Sequence, residues 1–120
     1  MATRKRTDTH WIAIHCAATP PEMDIGFAEI DRWHKERGWI GCGYHRIIRR
    51  DGTVEDGRDI DAMGAHVRGF NQTSVGVCLI GTDTFTVEQF ESLANLIADL
   101  LVKYPSASLR GHRDFPNVKK

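Results

Sequence analysis

The chain is sparing in most of the features that would class it at a glance. It has three cysteines in 120 residues, Cys16, Cys42 and Cys78. An odd number cannot all pair, and their spacing fits no disulfide scaffold, so the sequence points to folding in a reducing compartment. Net charge is absent too, with 16 basic residues against 16 acidic ones, and no overall field draws the protein to nucleic acid or to a membrane surface. No stretch approaches the roughly 18 apolar residues of a membrane span. The opening "MATRKRTDTH" lacks the apolar core of a secretory signal. The short basic runs Arg4-Lys5-Arg6 and Lys119-Lys120 read as solvated tails, and Arg46, Arg49 and Arg50 as residues facing water.

What is present is an ordinary globular composition, 41% apolar and 27% charged, in a length that suits one domain over residues 1–120. "HWIAIHC" (10–16) reads as a buried strand, with Trp11, Ala13 and His15 on one face and Ile12, Ile14 and Cys16 on the other. Residues 24–38 read as a helix with Asp24 as N-cap, an apolar stripe of Phe27, Ile30 and Trp33, and Gly38 as its end. Asp51-Gly52 predicts a type I′ hairpin turn within 44–59. Residues 64–74 form a loop, and "SVGVCLIG" (74–81) a central strand buried on both faces. Residues 85–105 form a long helix with a Thr86/Gln89 capping box, the staple pair Phe85 and Phe90, and Pro105 as its stop. A last strand, 108–112, ends at His112. Strands alternating with two helices and a hairpin predict an α/β fold, a mixed central sheet with helices packed on it.

Two histidines, His15 and His112, fall at predicted strand ends, where ligand sites of α/β folds collect. Neutral imidazole is the commonest nitrogen ligand of zinc. Ninety-seven positions separate the two, so no local ligand spacing exists, and a metal pair and two structural histidines stand as equal readings. Cys16 follows His15 but points to the opposite face. Cys78 reads as a core thiol and Cys42 as a loop thiol, while His10 and His34 read as surface residues. Tyr44 and His66 sit beside glycines in or next to loops.

Four stretches, "AIHCAAT" (13–19), "RWHKERGWIGCGYHRIIRRDGTVEDGRD" (32–59), "GAHVRGFNQTSVGVCLIG" (64–81) and "LRGHRDFPNVKK" (109–120), resemble the zinc N-acetylmuramoyl-L-alanine amidases. That family includes the phage lysozyme-type amidases and the animal peptidoglycan recognition proteins. The likeness runs in order over residues 11–120, and it is nearer the phage and bacterial branch.

The resemblance implies zinc bound by His15 and His112, Tyr44 near the zinc-bound water, and His66 and Asn71 in contact with substrate in the same pocket. Lys120 corresponds to the family's lysine that precedes a third, cysteine ligand. It also implies cleavage of the amide between muramic acid and L-alanine in peptidoglycan, by a monomer acting on the wall after release from the cytoplasm of the infected host, with no nucleic-acid or membrane partner. The chain stops at Lys120, short of the family's cysteine, so it reads as C-terminally truncated. Asp114, two residues past His112, is a weaker substitute ligand and reads better as a turn-former beside Pro116. Two ligands are expected to hold zinc weakly. The alternative is a non-catalytic peptidoglycan-binding module of the same fold.

Overall fold

The computed structural model describes residues 4–20 and 22–112. Asp114 and Lys120 lie outside them. Seven elements follow in chain order: β1 (Trp11–Cys16), α1 (Phe27–Glu36), β2 (Arg46–Ile48), β3 (Val54–Asp56), β4 (Ser74–Leu79), α2 (Val87–Lys103) and β5 (Ser108–Gly111). The five strands form one mixed sheet in the order β3-β2-β4-β1-β5. β1 runs parallel to both β4 and β5, β2 runs parallel to β4, and only the β2–β3 hairpin is antiparallel.

The apolar run of β4 occupies the centre because every one of its residues is buried, as a strand covered on both faces requires. Alternation along β1 divides the core as its sequence predicts. Ile12 joins Val75, Val77, Leu79 and Ile48 beneath Leu93, Leu96 and Leu100 of α2. On the other face Ala13 packs with Val67, flanked by Trp11 and Phe70. Ile47, Cys78 and Ile80 pack there against Ile30 and Trp33 of α1. The sheet is thus the middle of three layers.

α2 begins as its sequence predicts. Thr86 Oγ1 accepts from the Gln89 N–H at 3.0 Å, and Gln89 Oε1 accepts from the Thr86 N–H at 3.0 Å. Phe85 and Phe90 meet edge to face at 6.2 Å. Gln89 also reaches into the sheet, where its Nε2 donates to the carbonyls of Ile80 (2.8 Å) and Ile48 (3.3 Å).

Other expectations give way to tertiary contacts. α1 starts at Phe27, not at Asp24: Glu29 Oε1 accepts from Gly26 N–H at 2.9 Å and Glu55 Oε1 from Phe27 N–H at 2.8 Å, while Asp24 pairs with Arg49 at 3.4 Å. The hairpin turn is not type I′, because Gly52 (φ +90°) is its only residue with positive φ. Asp51 Oδ1 instead accepts from Thr53 N–H at 2.9 Å, a side-chain turn within a longer loop. The arginines read as facing water are partly buried ties. Arg46 pairs with Asp56 at 3.2 Å, and Arg50 Nη1 donates to Thr84 O at 2.6 Å and Gln89 Oε1 at 3.2 Å. Arg6, read as part of a solvated tail, is half-buried and donates to Tyr104 Oη at 2.9 Å.

Candidate active site

Parallel pairing decides where the chemistry gathers. Ile14 is opposite Gly111 across the β1–β5 pair, so the next step along each strand brings His15 level with His112 at the carboxyl edge of the sheet. Their ring centroids are 4.6 Å apart. The 97-residue gap in sequence closes because β1 and β5 are neighbours, with the whole crossover between them.

Tyr44 and His66 arrive from loops. Tyr44 precedes β2, with its ring centroid 5.2 Å from that of His15. His66 stands over the sheet, 4.9 Å from the His15 ring and perpendicular to it. Glycines make that position available. A Cβ on Gly76 would lie 2.6 Å from His66 Cγ, and one on Gly64 would lie 2.6 Å from His66 Cδ2. Asn71 holds the loop, since its Oδ1 accepts the backbone N–H groups of both His66 and Val67 at 2.9 Å.

Hydrogen bonding assigns the ring protons. Ser74 Oγ donates to Phe70 O at 2.7 Å, leaving its lone pairs for His66 Nε2–H at 3.3 Å. His66 Nδ1 is then an acceptor, and His15 Nε2–H donates to it at 2.8 Å. His15 therefore carries its lone pair on Nδ1, and a bond at one ring nitrogen that orients the other is how metal-binding imidazoles are held. Burial, reinforced by His15 and His45, holds His66 well below the usual histidine range and keeps it neutral. Burial likewise raises the Tyr44 phenol above its ordinary value, with the surrounding Cys78 and Cys42 thiols adding to it, so the hydroxyl keeps its proton. Two adjacent imidazoles at the strand ends are a donor set that fits zinc. Among the described residues no cluster of three or more His, Cys, Asp or Glu side chains is arranged to hold a metal.

A groove of about 420 Å³ runs beside the cluster, lined among others by His34, Arg37, Trp39, Tyr44, His66, Arg68 and Asn71. A smaller recess of about 240 Å³, with Cys16 and Trp33 in its wall, shares His34, Arg37 and Tyr44 with it. The structure thus brings together five of the residues singled out in the sequence, His15, Tyr44, His66, Asn71 and His112. Lys120 lies outside the described residues.

His34 is not the surface residue that its charged helical turn predicts. It is 7% exposed, its Nδ1 accepts the Gly43 N–H at 2.9 Å, and its ring lies 5.7 Å from Tyr44. The helical pattern of α1 gave no hint of this, because the bond goes to a loop. His45, fully buried beside His66, was not singled out either. Cys42 is buried, and desolvation pushes its thiol up to about 11, which makes it unreactive.

Comparison with known proteins shows the family and the fold. The N-acetylmuramoyl-L-alanine amidase family model matches residues 5–120. The chain is 52% identical over 118 residues to an endolysin of Klebsiella phage KP32, covering 92% of this chain and 78% of that one. Its fold is similar to the N-acetylmuramoyl-L-alanine amidase LysC from Clostridium intestinale, with a TM-score of 0.90 at 31% identity over 98% of this chain and 79% of that one. It is also similar to a mutant of the Drosophila recognition protein PGRP-LB in complex with tracheal cytotoxin, with a TM-score of 0.85 at 27% identity over 98% and 78%. The chain belongs to the N-acetylmuramoyl-L-alanine amidase family and is a relative of the phage endolysins.

Proposed function

We propose that the protein hydrolyses the amide between the lactyl group of N-acetylmuramic acid and L-alanine in bacterial peptidoglycan, with zinc held by His15 and His112. The supporting observation is the side-by-side placement of these two imidazoles at the carboxyl edge of the sheet, 4.6 Å apart, with Tyr44 and His66 turned to the same cluster. Bound zinc supplies Lewis acidity that polarises the amide carbonyl and acidifies water.

The chain's own residues do the rest. Tyr44, held as a neutral phenol, donates a hydrogen bond to the oxygen on which negative charge develops. Lys120 adds an ammonium to the same task. His66 fixes the His15 ring and contacts substrate from the groove wall. Asn71 sets the loop that carries His66 and takes part in that wall. The protein acts as a monomer on the wall of the infected host, reached from its cytoplasm. No helix among the described residues is long and apolar enough to cross a membrane.

Incubation with purified peptidoglycan tests the reading. Release of new N-terminal alanine, with the glycan strands left intact, is the expected result. Retained binding without release contradicts it and assigns the chain to the binding modules.

A further inference from the structure

Arg6 has no part in the proposed reaction, yet its guanidinium is tied on several sides. The backbone at residues 4–6 runs along residues 61–63: Arg6 N–H donates to Asp61 O at 2.8 Å, and Lys5 and Ala62 form an antiparallel bridge. Nη1 donates to the carbonyls of Ile60 and, at 3.1 Å, Ala62. Nη2 donates to Thr9 Oγ1 at 3.0 Å and Tyr104 Oη at 2.9 Å, and the guanidinium lies over the Tyr104 ring at 5.3 Å.

The Ala62 carbonyl also takes a second donor. His45 is fully buried, and its Nδ1 faces the Gly76 N–H at 2.9 Å. An amide can only donate, so Nδ1 is the acceptor and the proton sits on Nε2, which donates to Ala62 O at 2.7 Å. Arg6 Nη1 and His45 Nε2, 3.3 Å apart, are therefore two donors converging on one oxygen. The His45 ring meets the His66 ring edge to face at 5.6 Å. Gly76, whose N–H His45 holds, is also the residue that leaves space for His66. A continuous line of contacts thus runs from Arg6 through Ala62 O and His45 to His66.

We propose that Arg6 is a positioning residue for His66: by fixing the Ala62 carbonyl it sets the ring orientation of His45, whose tautomer the Gly76 N–H sets, and His45 forms the wall against which His66 stands. This rests on reading His66 as a groove residue of the amidase site. With both ring nitrogens engaged, His45 cannot flip. Without Arg6 the segment around Ile60 and Ala62 loses its shared donor, and the His66 ring loses its fixed backing. Small misplacements of this kind cost reaction rate more than they cost binding.

The test compares the whole chain with Arg6→Met, Arg6→Lys and Tyr104→Phe, the last loosening the same clamp without touching Ala62. Nitrogen-15 NMR reads the ring signals of His45 and His66, and steady-state hydrolysis of peptidoglycan reads kcat and KM. Arg6→Met is expected to shift the His45 and His66 ring signals, with the His45 proton still on Nε2, and to lower kcat about tenfold with KM within twofold. Arg6→Lys should restore part of the rate, and Tyr104→Phe should leave both sets of ring signals unchanged. Wild-type ring signals in Arg6→Met, or the same loss of kcat in Tyr104→Phe, would overturn the proposal. Should Arg6→Met fail to fold, Arg6→Lys carries the comparison: ring signals identical to wild type count against the proposal, and shifted His45 and His66 ring signals count for it. If the wild-type chain shows no hydrolysis, the amidase reading fails while the NMR comparison still decides the role of Arg6.

Discussion

Tyr44 and Gly76 show how single side chains set this site. The Tyr44 ring packs between His15 and His34, at centroid distances of 5.2 and 5.7 Å, so Tyr44→Phe keeps the packing and deletes only the hydroxyl. It should lower kcat about 10²-fold with an unchanged melting temperature. A rate within twofold of wild type would remove Tyr44 from the reaction. Gly76 contributes by lacking a side chain. A methyl there would press on the His66 ring, so Gly76→Ala should destabilise the fold by about 1–3 kcal/mol in urea unfolding. Unaltered stability would mean that the His66 ring has room to move away. Neither residue's importance could be weighed from composition, because a glycine in an apolar strand reads first as weak β propensity.

At the scale of elements, legibility followed locality. The capping box and staple of α2 were readable because every partner lies within five positions along the chain. The start of α1 was not, because Glu55 from β3 takes the N–H of Phe27 across the fold. The burial of His34 and Arg6 is hidden from the local sequence for the same reason, since each is bonded by a loop or by a segment distant in sequence. The α2 cap gives a graded test. Thr86→Ala should cost about 1 kcal/mol. Gln89→Ala should cost about 2–3 kcal/mol, because it also strips a donor from the buried carbonyls of Ile48 and Ile80. Equal costs in the two variants would contradict the bridging role of Gln89.

The whole molecule should show its buried histidines in the pH dependence of stability. Desolvation, only partly offset by the bond to Ala62, lowers His45 to about 4, and burial also lowers His34 and His66. Between the ordinary histidine value, about 6.5, and about 4, the unfolded chain takes up a proton that folded His45 refuses. Stability is therefore full above about pH 7 and falls as the pH drops through that window. The loss from His45 alone should be about 2 kcal/mol between pH 7 and pH 5, read by urea unfolding. Constant stability over that range would contradict the neutral, doubly bonded ring.

The family likeness in the sequence foretold the fold and the meeting of distant histidines. Physics alone left a metal pair and two structural histidines equally open, because only the β1–β5 pairing makes His15 and His112 neighbours. That pairing carries the central claim, and calorimetric titration with zinc tests it most directly. His15→Ala and His112→Ala should each weaken zinc binding at least tenfold relative to wild type, while Thr86→Ala at the α2 cap leaves it within twofold. Zinc binding that is indifferent to both histidine substitutions would contradict the account.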